Sequence, residues 1–163
     1  MLKYLLFIGI VMFSQIIGGE IIHTETYDNG SIEKITYHKQ VLVKGVNMIF
    51  PVKLEEYYKD GQLYKLENYS KKFPYGYKES TTEWYKSGEK MEESTYKDGE
   101  IDGLRTRWYE NGKKDREVHY KDGKENGLYT TWYENGKKKW EGNYKDGEMI
   151  SSKRWNEDGS VKK

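Results

Sequence analysis

Adjacent tryptophan and tyrosine residues recur through the second half of the sequence. The pairs are Trp84-Tyr85, Trp108-Tyr109 and Trp132-Tyr133. Rows of such rings can stack on sugars or hold cations by cation–π attraction, so they are the first candidates for a binding site. The same rings could instead serve only to pack the protein, and the two interpretations must be weighed for each row.

Packing is the favoured interpretation for the tryptophans, because the sequence offers few aliphatic residues to build a core. Alternation along a strand places Leu128, Thr130 and Trp132 on one face. We therefore predict one structural row. Its members are Trp84, Trp108, Trp132, Leu104 and Leu128.

The tyrosines that follow the tryptophans fall on the opposite face in the same alternation. For Tyr85, Tyr109 and Tyr133, packing and partner binding both stay open, and these three residues are the candidate binding row. If they bind a partner, their replacement should weaken binding without lowering the melting temperature.

Aspartates recur with the same spacing and could in principle bind calcium. Asp98, Asp122 and Asp146 each precede a glycine, but a single aspartate at each such interval does not supply the six to eight oxygens that calcium needs. Turn formation accounts for these residues, and we predict no metal and no cofactor.

Catalytic constellations are missing from the sequence. His23, His38 and His119 lie far apart, without a nucleophile or a second ligand at a meaningful spacing. The carboxylates alternate with lysines, as in residues 113–117, which is typical of a solvated strand surface. We therefore expect a protein that is not an enzyme.

The residues above belong to an internal repeat. Both the tryptophan pairs and the Tyr-Lys-Asp-Gly motifs at residues 96–99, 120–123 and 144–147 recur at the same constant interval. Two kinds of glycine turn alternate between short segments rich in Thr, Tyr and Trp, and such dipeptides are strong hairpin signals. The predicted turn residues are Gly99, Gly112, Gly123, Gly136 and Gly147.

This pattern predicts an all-β fold, an elongated antiparallel array of tandem β-hairpins with a period of about 24 residues. Residues 57–163 form the regular repeats, and residues 20–56 are interpreted as a degenerate N-terminal repeat or cap. The mean hydropathy of −1.04 is that of a polar chain, but aromatic residues make up 15% of it, which favours folding over disorder.

Residues 1–19 have the layout of a secretory signal peptide. Lys3 precedes an apolar run at residues 4–13, and Gly18-Gly19 supplies small residues near a cleavage point. We predict a leader helix and export to the periplasm, the cell envelope or the medium, with an uncleaved membrane anchor as the alternative. The chain contains no cysteine, which fits a bacterial exported protein.

Residues 108–114 and 132–138, both Trp-Tyr-Glu-Asn-Gly-Lys-Lys, and the Lys-Asp-Gly turns resemble the bacterial variant of the MORN repeat. This repeat type occurs in proteins named YwqK-family antitoxins. The resemblance covers about residues 57–160. It implies a twisted antiparallel array of hairpins that acts as an interaction scaffold without catalytic residues, and the antitoxin name implies a toxin as partner.

Three functions stay open on the sequence. The first is an exported scaffold for protein–protein interaction, the second is an antitoxin or immunity protein, and the third is a glycan or cell-wall binding module. With 28 basic and 27 acidic residues the net charge is +1, which disfavours nucleic acid. It also disfavours anionic lipids, so we expect membrane contact only through an uncleaved N-terminus.

Overall fold

The computed structural model describes residues 13–17, 20–70 and 77–162. In these ranges the regular secondary structure consists of antiparallel β-strands, with no helix. Each strand pairs with the next along the chain wherever the register is defined. The predicted all-β array of tandem hairpins is thereby confirmed.

The chain divides into two compact units, Met1–Gly76 and Tyr77–Lys163, here called the N-terminal and C-terminal units. The division falls inside the segment predicted as regular repeats. The strands of the N-terminal unit are β1 (Phe13–Ile17), β2 (Glu20–Thr26), β3 (Ile32–Val43), β4 (Val46–Tyr57) and β5 (Leu63–Tyr69).

The C-terminal unit is a meander of short strands. They are β6 (Lys78–Trp84), β7 (Lys90–Lys97), β8 (Glu100–Trp108), β9 (Lys114–Lys121), β10 (Lys124–Trp132), β11 (Lys138–Lys145) and β12 (Glu148–Arg154).

Most of the predicted leader lies outside the described residues, namely residues 1–12 and 18–19. The described part, Phe13–Ile17, forms β1 and pairs with β2 from Phe13↔Thr24 to Ile17↔Glu20. The leader helix and its cleavage therefore stay predictions. Among the described residues we find no helix long and apolar enough to span a membrane.

Two hairpin turns alternate in the C-terminal unit, and their geometries differ. In the Asp-Gly turns both residues have positive φ, 51° at Asp98 and 90° at Gly99, as a two-residue type I′ turn requires. In the Asn-Gly turns only the glycine does: Gly112 has φ 76°, and its N–H donates to the carbonyl of Tyr109 at 2.9 Å. This second turn is a longer loop closed by Tyr109 and Lys113.

The strand register assigns the side chains of the C-terminal unit to two faces. One row runs Ser94↔Arg105↔Val118↔Tyr129↔Gly142, and its face is called the arginine face. The row beside it on the opposite face, the tryptophan face, contains Glu93↔Thr106↔Glu117↔Thr130↔Glu141.

Short side chains occupy the buried positions of this sheet. Val118 is 2% exposed and is the one buried hydrophobic residue among those described, while Ser94, Thr106 and Thr130 are also buried. Because the described strands of the unit form a single layer, a side chain is covered only by longer neighbours in the same sheet. Burial therefore selects small residues between long ones.

The prediction that Leu104 and Leu128 pack in a core with the tryptophans is wrong. Leu104 is 38% exposed and Leu128 is 47% exposed. Both share the tryptophan face, but their register partners are polar, His119 and Asn143, and no second layer among the described strands of the unit covers them. Trp84, Trp108 and Trp132 are half-buried, not fully enclosed.

Candidate functional site

The tryptophans of the tryptophan face are covered by lysines from the preceding strand. The lysine Nζ lies 5.2 Å from the ring centroid in the pair Lys90–Trp108 and 5.6 Å in Lys114–Trp132. Lys138 stands in the same way 5.7 Å from Trp155.

Each of these lysines also forms an ion pair with a glutamate three residues on. The pairs are Lys90–Glu93, Lys114–Glu117 and Lys138–Glu141. Cation–π attraction and ion pairing thus engage the charged groups of this face within the protein. The lysines and glutamates beside these tryptophans are therefore engaged within the protein.

The candidate tyrosines Tyr85, Tyr109 and Tyr133 lie just after the strands, at the start of the Asn-Gly or Ser-Gly turns. Each hydroxyl donates to the backbone carbonyl of the tryptophan one repeat further on, at 2.7 Å from Tyr85 to Trp108 and from Tyr109 to Trp132. The bond from Tyr133 to Trp155 is 2.9 Å. These hydroxyls therefore join successive repeats, and their geometry favours packing over partner binding.

Other bonds along the same edge repeat the connection. The Asn111 amide donates to the Glu134 carbonyl at 3.1 Å, and the Lys113 ammonium donates to the Asn135 carbonyl at 3.1 Å. Burial, together with the nearby Asp115 carboxylate, raises the pKa of Tyr109 to about 12, so its hydroxyl stays a donor at neutral pH.

The glycines predicted as turn residues all have positive φ, namely 90° at Gly99, 76° at Gly112, 76° at Gly123, 89° at Gly136 and 89° at Gly147. Asp98, Asp122 and Asp146 also have positive φ, as turn residues. Among the described residues there is no group of three or more His, Asp or Glu placed to hold a metal ion.

The arginine face contains the four arginines of the C-terminal unit. Its principal members are Arg105, Arg107, Arg116, Tyr129, Trp140 and Arg154. Arg105 is held by Glu92, with Nη2 2.7 Å and Nε 2.9 Å from the same carboxylate oxygen. Such charge-assisted bonds fix the guanidinium plane in position.

Arg107 and Arg116 are direct register partners that share one carboxylate. Their Nε atoms lie 3.5 Å and 3.8 Å from Oδ2 of Asp115. Asp115 is skipped by the register, which shifts between Arg107 and Trp108. One aspartate opposite two arginines leaves an excess positive charge on a face where both side chains are more than a third exposed.

The indole of Trp140 lies directly against Gly142 in the last repeat. A Cβ atom added at Gly142 would stand 2.3 Å from the indole Cη2 and 2.5 Å from Cζ2. The indole also contacts two tyrosines, with ring centroids 5.1 Å away for Tyr129 and 6.2 Å for Tyr144. Gly142 is therefore required for close approach, because only a residue without a side chain leaves room for the ring.

An open hollow of about 610 Å³ lies beside this ring cluster. It is lined by Asp115, Arg116, Tyr129, Thr131, Tyr133, Lys139, Trp140, Arg154, Trp155 and Lys162. The volume is within the range of small-ligand sites. Four lining residues are basic and one is acidic.

Two buried or half-buried carboxylates of the N-terminal unit, Glu55 and Glu67, accept hydrogen bonds from within the unit. Glu55 accepts from Tyr37 at 2.8 Å, Tyr57 at 2.9 Å and Lys53 at 3.0 Å. Burial alone would raise the pKa of Glu55, but these hydrogen bonds outweigh it and hold the pKa below its usual value. Glu67, only 5% exposed, accepts a hydrogen bond from Tyr69.

Two of the three histidines meet in the N-terminal unit. The rings of His23 and His38 are 4.9 Å apart and nearly perpendicular. Burial, together with the charge of His23, lowers the pKa of His38. His119 is on β9, where its Nδ1 lies 3.1 Å from the Leu128 carbonyl.

The alternating turns, the single-layer register and the repeated inter-hairpin bonds define a β-repeat protein. Residues 52–71, 101–122 and 125–146 match the sequence model of the MORN repeat variant, so the chain carries MORN repeats as predicted. MORN repeats are generally protein- or membrane-interaction modules. A comparison with curated proteins gives no significant match.

Sequence reasoning missed Trp140, Gly142 and the hollow. The signal was present as a departure from the repeat, since Trp140 and Gly142 occupy the positions that Arg116 and Val118 hold one repeat earlier. Two changes occur together: an aromatic ring replaces the arginine side chain, and two residues later on the same face a glycine replaces the valine. Such a compensated change marks a local specialisation of one repeat.

Proposed function

We propose that the C-terminal unit is a non-catalytic module that binds a protein partner through the arginine face. The observation that carries this proposal is the concentration of partly exposed Arg and Tyr side chains, together with Trp140, on one face of a single-layer sheet. These three residue types dominate the binding energy of protein interfaces. The opposite face has its lysines and tryptophans engaged with one another.

Arg105 suits this role because its position is set before a partner arrives. It is held by short contacts to Glu92, whereas Arg107 and Arg116 form longer ion pairs with Asp115. A side chain that is already ordered loses less conformational entropy on binding. The mixture of arginine and carboxylate also favours a specific protein partner over a uniformly charged surface.

We further propose that the module acts outside the cytoplasm, on the strength of the leader-like residues 1–19. Neutralising a toxin would be one form of the same protein binding, suggested by the resemblance to YwqK-family antitoxins. Glycan binding is less well supported, because the hydroxyls of Tyr85, Tyr109 and Tyr133 are engaged in bonds between repeats.

The test is capture of partners by the full chain and by two variants matched in charge. Arg107→Gln/Arg116→Gln removes two positive charges from the arginine face. Lys121→Gln/Lys145→Gln removes two from exposed positions beside the Asp-Gly turns. We expect a partner that is retained by the wild type and the lysine variant and lost by the arginine variant, with unchanged circular dichroism.

An equal yield from all three proteins would refute the arginine face as the binding surface. The same would follow if the lysine variant alone lost the partner, since binding would then depend on the turn edge.

A further inference from the structure

The hollow on the arginine face is a product of the last repeat. Thr131 occupies the position that Arg107 holds one repeat earlier and therefore takes its place in the sheet row. Its register partners are Arg116 and Trp140, both larger. A short side chain between two long ones leaves a depression, and the Trp140 indole beside it extends toward Gly142.

Positive charge is concentrated around this depression. The lining contains Arg116, Lys139, Arg154 and Lys162 against the single carboxylate of Asp115, so the formal charge is 4 − 1 = +3, whereas the whole chain has +1. Among the described residues Arg154 and Lys162 take part in no ion pair, so both are available to an anion. Arginine in particular binds carboxylates through two parallel hydrogen bonds.

Aromatic rings form the other part of the lining. Trp140, Tyr129 and Tyr133 border the hollow, and the Lys139 ammonium lies 5.5 Å from the Tyr133 ring centroid. A simple phosphate would use only the cations and leave the rings in water. A ligand that presents both a carboxylate and an apolar group satisfies both parts of the site.

We infer that this hollow binds an acidic peptide segment of a partner protein, with a Glu or Asp carboxylate held by Arg154 and Lys139 and a neighbouring apolar side chain against Trp140. The inference rests on the proposed function, because it names the chemistry of the partner for the arginine face. The volume of about 610 Å³ is large enough for a carboxylate side chain and a neighbouring apolar side chain.

The test uses fluorescence anisotropy of a fluorescein-labelled pentapeptide with four glutamates around one phenylalanine. A second peptide replaces the glutamates with glutamines. We expect the acidic peptide to bind the wild type, the glutamine peptide to bind at least roughly tenfold more weakly, and Lys139→Gln/Arg154→Gln to lose roughly tenfold in affinity for the acidic peptide, as loss of charge-assisted bonds implies.

Two further variants keep the test decisive. Lys121→Gln/Lys145→Gln is the matched control for net charge and should stay within about twofold of the wild type. Lys162 lies beyond the strands, so Lys162→Gln replaces Lys139→Gln/Arg154→Gln in the test if that double variant does not fold. Lys162→Gln should lose roughly threefold in affinity for the acidic peptide. Circular dichroism of every variant checks the fold.

Three results would overturn the inference. One is absence of binding by the acidic peptide, and another is equal affinity for the wild type and Lys139→Gln/Arg154→Gln. The third is competition by inorganic phosphate, or by vesicles containing phosphatidylserine, that displaces the peptide at lower concentration than unlabelled peptide does.

The two proposals fail separately. If the peptide does not bind but Arg107→Gln/Arg116→Gln still loses the captured partner, only the acidic-peptide hollow is wrong. If the peptide binds as expected but capture is unaffected by the arginine variant, the arginine face is not the partner surface.

Discussion

Replacing Gly142 with alanine puts a methyl group where the Trp140 indole lies. The added Cβ would be 2.3 Å from Cη2, 2.5 Å from Cζ2 and 3.2 Å from Cζ3, so the ring must move. It is held by Tyr129 and Tyr144, with centroids 5.1 Å and 6.2 Å away, and displacement disrupts that cluster. Overpacking of this kind costs about 1–3 kcal/mol.

A second effect of the same change has the opposite sign. Alanine restricts the unfolded chain more than glycine does, which stabilises the folded state by about 0.4–1 kcal/mol wherever the backbone accepts it. Gly142 is on a strand and its φ is not positive, so the backbone accepts alanine. In the wild type the ring overlap is the larger effect, and we expect a net loss of about 1–2 kcal/mol.

Trp140→Arg removes the ring and restores the residue found one repeat earlier, at Arg116. In that background Gly142→Ala should increase the free energy of unfolding by about 0.4–1 kcal/mol. Urea denaturation of the four proteins, followed by circular dichroism, gives the coupling between positions 140 and 142. Stabilisation by Gly142→Ala in both backgrounds would refute the claim that the indole excludes a side chain at this position.

Three further results are expected. Tyr109→Phe should lower the free energy of unfolding by about 1 kcal/mol, since it removes the hydroxyl bond to the Trp132 carbonyl; an unchanged midpoint of urea unfolding would count against that bond. Leu128→Ala should change the same quantity by at most about 0.5 kcal/mol, because Leu128 is largely exposed, and a loss above about 2 kcal/mol would restore the predicted leucine core. Acid should destabilise the N-terminal unit in two steps, because the native pKa values of both His38 and Glu55 are lowered. The stabilisation is complete above the ordinary pKa, 6.5 for His38 and 4.5 for Glu55, and is lost as the pH falls through each native pKa. Urea midpoints between pH 8 and 3 check this, and a His38→Gln variant that keeps the upper step would contradict it.

The repeat and its turns could be predicted because they are encoded locally. The turn at Asp98-Gly99 needs positive φ at two successive residues. Because few residue types accept this conformation, the turn can be recognised from the sequence. Strand alternation likewise places Thr130 and Tyr129 on opposite faces, and the register agrees. Both features depend on short stretches of chain.

Burial could not be predicted in the same way, because it depends on what covers a face. Leu128 follows the pattern of a core residue, yet the described strands of its unit form one layer and leave it exposed. Tyr109 follows the pattern of a face residue, yet its hydroxyl bonds to the carbonyl of Trp132 in the next repeat. These outcomes depend on how one hairpin packs against the next, and the sequence of a single repeat does not determine that packing.

The most direct test of the central claim, that the arginine face is the partner surface, is site-specific photo-cross-linking. A benzoylphenylalanine is introduced either at Thr131, on the arginine face beside the hollow, or at Leu128, exposed on the tryptophan face of the same strand. We predict a covalent partner adduct from position 131 and little or none from position 128. An adduct from position 128 without one from position 131 would contradict the account.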